Sequence, residues 1–236
     1  DAQESRGLGE VYKRQHDDLP AMDNDDYRRG KLTTHKKYGE DFGILAGDGL
    51  LNLAYETMFN AIKNISSDYT DIENAKKMAL YSQAAAVIAS KAGVDGMVGG
   101  QSLDVYLTDK PMDKEQLDYI FRLKTGALIE AACVMGVILG DKLEAIPFAA
   151  DYAQAMGRAF QIVDDILDVT GTFEELGKPI GSDSEQHKNT YVSLLGLDKS
   201  EQIAKQLTVQ ALGHLKYFED SVFLTELTSD MLTRRS

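Results

Sequence analysis

Cysteine is nearly absent: Cys133 is the only one in 236 residues, so no internal disulfide and no cysteine-based zinc site can form. That fits a reducing compartment, and the cytoplasm is the expected location. Positive charge is also scarce. The 25 Lys and Arg face 38 Asp and Glu, a formal net charge of −13, whereas nucleic acid is bound through a surplus of cations on one face; nucleic acid is therefore excluded as a partner. No apolar run is long enough to span a membrane. The best stretch, Ala131 to Gly140, is bounded by Glu130 and Asp141 and falls well short of the roughly 20 residues a spanning helix needs. The histidines, His16, His35, His187 and His214, stand at no metal-ligand spacing. Proline is rare too: Pro20, Pro111, Pro147 and Pro179 all fall at boundaries between periodic segments, as helices require.

What is present is helical periodicity. The 43% hydrophobic content suits an ordinary globular chain with room for one large core. Phe42, Leu45, Ala46, Leu50, Leu53 and Met58 recur at helical spacing up to a polar break at Asn64 to Tyr69, and a second helix is expected from Ile72 to a stop at Gly93. Gly96 to Gly100 read as a glycine-rich passage, and Pro111 with Asp113 as a helix start running through Phe121. Lys124 to Gly140 suits a helix buried on most sides, with Lys124-Thr125-Gly126 as an ordinary helix entry. A helix opening at Pro147 is expected to end at Thr170-Gly171-Thr172, followed by a charged loop to Asn189 and two or three closing helices. No strand alternates convincingly, and neither an internal repeat nor a linker is visible. The expected fold class is all-α. Residues 1–15 are polar, resemble a translated adapter and are expected to be a non-native leader, with residues 16–236 as the domain.

The chemistry lies in two aspartate clusters. Asp17, Asp18 and Asp23 stand near the start with Arg28 and Arg29 close behind, and Asp164, Asp165 and Asp168 stand far downstream, flanked by Gln161 and Lys178. Carboxylates alone repel a diphosphate and cations alone need no acidic cluster, so the combination implies divalent cations bridging protein to phosphate oxygens. A Mg²⁺-dependent enzyme acting on diphosphate esters is expected. Asp164 and Asp168, four apart, share one helical face while Asp165 points sideways; the bland alternative is a solvated acidic helix end. Pro20 forbids a continuous helix through the first cluster, so Asp17 and Asp18 should end a helix and Asp23 return from a turn. A calcium loop starting at Asp23 fails, because Arg28 and Thr34 occupy the positions that need glycine and glutamate. Arg28-Arg29-Gly30 reads either as an exposed basic turn or as two planar forks for phosphate. Asp104 reads equally well as a surface acid.

These motifs resemble the trans-isoprenyl (polyprenyl) diphosphate synthases, and among them the bacterial farnesyl diphosphate synthase-like branch. His16 to Gly30 resembles that family's first aspartate-rich motif and Phe160 to Asp168 its second. The likeness continues through Gly99-Gly100-Gln101, Lys124 to Ile129, Leu176-Gly177-Lys178 and Lys188-Asn189-Thr190-Tyr191. The resemblance implies an isoprenoid synthase-type helical bundle around a central cavity, a homodimer, and Mg²⁺ held by Asp17, Asp23 and Asp164 with Asp18 and Asp168 in support. It further implies that Arg28, Lys124, Gln161 and Lys178 hold an allylic diphosphate, dimethylallyl or geranyl, with Thr125 near the reacting carbons. Arg29 would contact isopentenyl diphosphate and Lys188 would shield the closed site. The catalytic set so implied is Asp17, Asp18, Asp23, Asp164, Lys124 and Lys178. Farnesyl diphosphate is the expected product; a geranylgeranyl product, or a non-catalytic partner subunit, are the alternatives. Nothing in residues 1–15 matches the Gly-Lys-x-Arg segment of the family's earlier helices, so the domain is expected to be N-terminally truncated.

Overall fold

The periodicity read from Phe42 onward becomes a 24-residue helix, Glu40–Lys63, in a computed structural model that describes residues 14–28, 30–65, 71–171 and 189–233. The chain divides between Ala79 and Leu80 into two compact units, the division falling inside the helix Ile72–Ala92. In the first unit, a helical turn over residues 14–17 is followed by a two-residue antiparallel pair, Tyr27–Arg28 with Lys31–Leu32. That pair is too short to leave an alternating pattern in the sequence. Gly30 takes a φ of +73° there, a conformation that costs glycine nothing. The short helix Thr34–Tyr38 then breaks at Gly39, whose φ of +108° turns the chain into Glu40–Lys63.

In the second unit the helices are Met97–Leu107, Lys114–Phe121, Ala127–Leu139, Ile146–Thr170, Tyr191–Leu195, Leu197–Leu215 and Val222–Thr233. Asp113 starts Lys114–Phe121 with a reciprocal capping box, its carboxylate accepting the Gln116 N–H at 2.8 Å while the Gln116 side chain takes the Asp113 N–H, so two otherwise orphaned donors are satisfied. The core sits along Ile146–Thr170. Its alanines 153, 155 and 159, all nearly sealed from solvent, are small enough to let Ala204 and Ala211 of Leu197–Leu215 come close. Ile162, Leu117 and Ile120 fill the remaining space, each worth roughly 1.5–3 kcal/mol of burial. The buried Tyr152 hydroxyl lies 2.9 Å from Thr228 Oγ1, which ties Val222–Thr233 to the same helix.

One passage is refined here and one expectation changes. The glycine-rich passage Gly96 to Gly100 runs into helix, because Met97–Leu107 already contains Gly99 and Gly100. A Cβ on Gly100 would lie 2.7 Å from the carbonyl carbon of Leu123, so glycine serves close helix approach rather than chain reversal. Lys124-Thr125-Gly126 is not a helix entry. It lies in a wider π turn, Arg122–Gly126, between two helical stretches, and such turns re-aim side chains where function needs them.

Cys133 packs with Tyr152, Ala153 and Leu212, and burial, reinforced by the Glu130 charge, pushes its thiol up to about 11. Because the thiolate is the reactive form, Cys133 in the native protein at pH 8 should react with a disulfide reagent at least about tenfold more slowly than after denaturation. Equal rates would contradict this burial.

Candidate functional site

The first aspartate cluster is a folded turn. The Asp18 N–H still donates to the Arg14 carbonyl at 3.0 Å; past Pro20 the chain doubles back until the Asp23 N–H donates to the Asp17 carbonyl at 2.9 Å. Asn24 completes the reversal at a φ of +52°, a conformation asparagine tolerates better than most residues. This is the helix end and return that Pro20 implied. The turn is seated on Glu40–Lys63. A Cβ on Gly43 would lie 2.8 Å from Leu19, and one on Gly47 would strike the His16 ring. The two glycines, one helical turn apart, thus form a groove for the residues on either side of Asp17 and Asp18. His16 Nε2 lies 3.2 Å from the Ile44 carbonyl oxygen and 3.4 Å from Asp48, so this histidine serves to fix the turn.

Asp17 and Asp18 are both buried. Arg28 reaches Asp18 through Nε at 2.6 Å and through a terminal nitrogen at 2.5 Å, and the same nitrogen meets Asp25 at 2.9 Å. Burial raises the Asp18 carboxyl above its ordinary range, and the Arg28 hydrogen bond and charge only partly offset this. For Arg28 burial acts to lower the guanidinium, but the Asp18 hydrogen bond and the surrounding carboxylates leave it raised. Thr33, itself buried, donates its hydroxyl to the Asp25 carbonyl at 2.8 Å, holding the loop that carries these groups. The structure therefore brings Asp17, Asp18, Asp23 and Arg28 together, with Arg28 in the neutralising role. Arg29 lies outside the described residues.

The second cluster is built on Ile146–Thr170. Gly157 passes so close to Gly126 that a Cβ on it would lie 3.0 Å from the Gly126 Cα, which sets the π turn beside the helix face that carries Gln161. The Thr125 hydroxyl accordingly donates to Gln161 Oε1 at 3.0 Å. Lys124, in the same turn and only 16% exposed, makes a 2.5 Å ion pair with Asp104. Asp165 and Asp168 are buried and Asp164 is partly open. The π turn thus sends Thr125 to Gln161, on the helix that carries Asp164 and Asp168, and Lys124 to Asp104. Lys178 and Lys188 lie outside the described residues, as do residues 1–13 of the expected leader. Asp104 is the residue that sequence reading undervalued. Its partner is 20 positions away, and no local pattern signals such a pair.

Comparison with known proteins bears on the same residues. The family model described as Polyprenyl synthetase matches residues 15–223. The chain is 41% identical over 223 residues to a geranylgeranyl diphosphate synthase of Cyanophora paradoxa, covering 94% of this chain and 71% of that protein. It is 40% identical over 231 residues to a farnesyl diphosphate synthase of Escherichia coli K12, covering 96% and 74% respectively. A crystal structure of a geranyltransferase from Helicobacter pylori, complexed with magnesium and isoprenyl diphosphate, superposes with a TM-score of 0.80 at 32% identity over 96% of this chain and 70% of that one.

The Asp104–Lys124 pair is open to test. Asp104→Ala removes a carboxylate paired with a largely buried ammonium group and is expected to lower stability by about 1–3 kcal/mol in urea denaturation. An unchanged midpoint and slope would show the pair to be incidental.

Proposed function

We propose that this chain, which belongs to the polyprenyl synthetase family and is by that membership a prenyltransferase, condenses isopentenyl diphosphate with an allylic diphosphate, dimethylallyl or geranyl, to a short-chain trans-prenyl diphosphate. Farnesyl diphosphate is the proposed product, and residues 16–236 the domain that makes it. The observation that carries the reading is the turn Arg122–Gly126 beside Ile146–Thr170: it holds a partly buried cation, Lys124, and pairs the Thr125 hydroxyl with Gln161 on the helix that bears the carboxylates of Asp164 and Asp168.

Magnesium fits the residues present. The candidate ligands Asp17, Asp18, Asp23, Asp164 and Asp168 are all hard oxygen donors, without a thiolate or imidazole among them. Among the described residues no three His, Cys, Asp or Glu groups form a ready-made metal cage. Mg²⁺ has no need of one, being commonly held by one or two carboxylates together with substrate phosphates. When bound, it supplies positive charge against the negative charge that builds on a departing diphosphate.

The chain's own groups do the rest. Lys124, Gln161, Arg28 and Lys178 hold the allylic diphosphate, and Arg29 holds isopentenyl diphosphate with its double bond toward the allylic carbon. As the allylic carbon–oxygen bond breaks, the ammonium and guanidinium groups stabilise the leaving diphosphate and Thr125 borders the reacting carbons. The double bond then attacks the allylic cation, and a proton lost from the condensed chain passes to the released diphosphate, so no protein base is required. Apolar residues such as Phe160 keep water from the cation, and Lys188 shields the closed site.

A homodimer is proposed as the working form. The helix Glu40–Lys63 leaves Phe42, Leu45 and Phe59 about 60% exposed, and such large apolar groups favour a covering partner. Sedimentation at micromolar protein should give twice the chain mass; a monomer throughout would refute it. The cytoplasm is the proposed location, and no helix among the described residues is long and apolar enough to cross a membrane.

With isopentenyl and geranyl diphosphates and Mg²⁺, the protein should form a C15 diphosphate, identified by mass spectrometry, and formation should cease with EDTA. A C20 product would reassign it to the geranylgeranyl type. Asp164→Ala should lower kcat by about a hundredfold or more, since a lost transition-state interaction acts on turnover. Near-normal turnover in that variant contradicts the assignment.

A further inference from the structure

Asp165 stands between Asp164 and Asp168 in sequence, yet its surroundings differ from those of a metal ligand. It is 3% exposed. One carboxylate oxygen accepts the main-chain N–H of Tyr191 at 2.8 Å, and the other faces the side-chain amide nitrogen of Gln161 at 3.5 Å. N–H donors are one of the ways to make a buried carboxylate tolerable. The Tyr191 N–H is available because Tyr191 opens the helix Tyr191–Leu195, whose first amides have no acceptor inside the helix. A capping box between Thr190 and Ser193 fixes that opening.

Tyr191 itself is held at its other end. The ring is 1% exposed and packs against Phe121 with centroids 5.7 Å apart. Its hydroxyl donates to Asp118, which also takes Arg158 at 3.1 Å and Lys114 at 2.6 Å. Arg158, Gln161 and Asp165 stand at i, i+3 and i+7 on Ile146–Thr170 and share one face. Tyr191 therefore fastens that face at two points, through Asp118 to Arg158 and through its own N–H to Asp165.

The consequence concerns the amide of Gln161. A carboxamide has one accepting and one donating end, and an ionised carboxylate can only accept. With Asp165 on one side, the NH₂ end is drawn toward it and the oxygen is left for the Thr125 hydroxyl, as the 3.0 Å contact has it. We propose that Asp165, fixed by Tyr191, is a positioning residue that sets the orientation of Gln161, and through it of Thr125, toward the allylic diphosphate. This rests on the prenyltransferase reading above and assigns Asp165 a task different from metal binding.

The test uses the full chain and three variants, Asp165→Ala, Asp165→Asn and Thr125→Val, with two kinds of readout. Exchange of the Tyr191 amide, followed by NMR, reports the tie without any activity. Calorimetry with an unreactive allylic thiodiphosphate, with isopentenyl diphosphate, and across a Mg²⁺ series reports the site. Asp165→Asn keeps an oxygen for the Tyr191 N–H but presents an NH₂ group to Gln161. Its Tyr191 amide should therefore stay protected while allylic affinity falls about tenfold, the loss of one hydrogen bond. Asp165→Ala should lose both the protection and the affinity. Thr125→Val should lose allylic affinity alone. In all three, affinity for isopentenyl diphosphate and the half-saturating Mg²⁺ concentration should stay within about twofold of the parent. An Asp165→Asn variant that binds the allylic analogue like the parent overturns the proposal. So does a tenfold rise in half-saturating Mg²⁺, which would make Asp165 a ligand, or a Tyr191 amide unprotected in the parent. A parent that binds neither diphosphate sinks the prenyltransferase reading and the positioning role with it, a failure visible before any variant is made.

Discussion

A carboxylate taken out of water must meet a cation or a set of N–H groups, because an isolated buried charge costs more than any single packing contact returns. Asp17, Asp18, Asp165 and Asp168 are all buried, and much of the local structure answers that requirement. Arg28 serves Asp18, the Tyr191 N–H serves Asp165, and the raised Asp18 carboxyl shows that Arg28 does not offset burial completely. A polypeptide gains no stability from collecting acids in this way. On the proposed reading, it gains carboxylates held ready for a hard divalent cation and its diphosphate ligand.

Backbone proximity delivers these groups to their positions. Gly43 and Gly47 leave room for Leu19 and His16, so the first motif can turn tightly at Pro20. Gly157 against Gly126 brings the π turn alongside the helix of the second motif, and Gly100 lets Met97–Leu107 approach the same turn from another direction. Lys124 then reaches Asp104, and Thr125 reaches Gln161. The missing side chains of Gly43, Gly47, Gly100 and Gly157 account for much of the geometry: a methyl group there would press on Leu19, on the His16 ring, on the Leu123–Lys124 backbone and on the Gly126 Cα respectively.

Much of this was legible in the amino-acid sequence, where the determinant is local. The helical period after Phe42, the cap at Asp113 and the turn forced by Pro20 each follow from residues within a turn or two of one another, and each is found. The motif resemblance to the polyprenyl synthases is likewise matched by the family model and the relatives. The π turn was not legible, because it follows from close packing of Gly126 on Gly157, 31 positions on, and reads locally as any helix entry. Asp104 and Tyr191 were missed for a related reason: the first pairs with a lysine 20 positions on and the second with an aspartate 26 positions back. Arg29, Lys178 and Lys188 fall outside the described residues, so their assigned roles rest on the resemblance.

The central proposal is that Asp17, Asp23 and Asp164 hold magnesium for a diphosphate substrate. It is tested most directly by a crystal structure of the protein soaked with Mg²⁺ and an unreactive allylic thiodiphosphate. The account predicts metal density at Asp17, Asp23 and Asp164 when the diphosphate is bound, and diphosphate oxygens against Lys124 and Gln161. A diphosphate bound away from Lys124 and Gln161, or no metal at any of the three carboxylates, would contradict it.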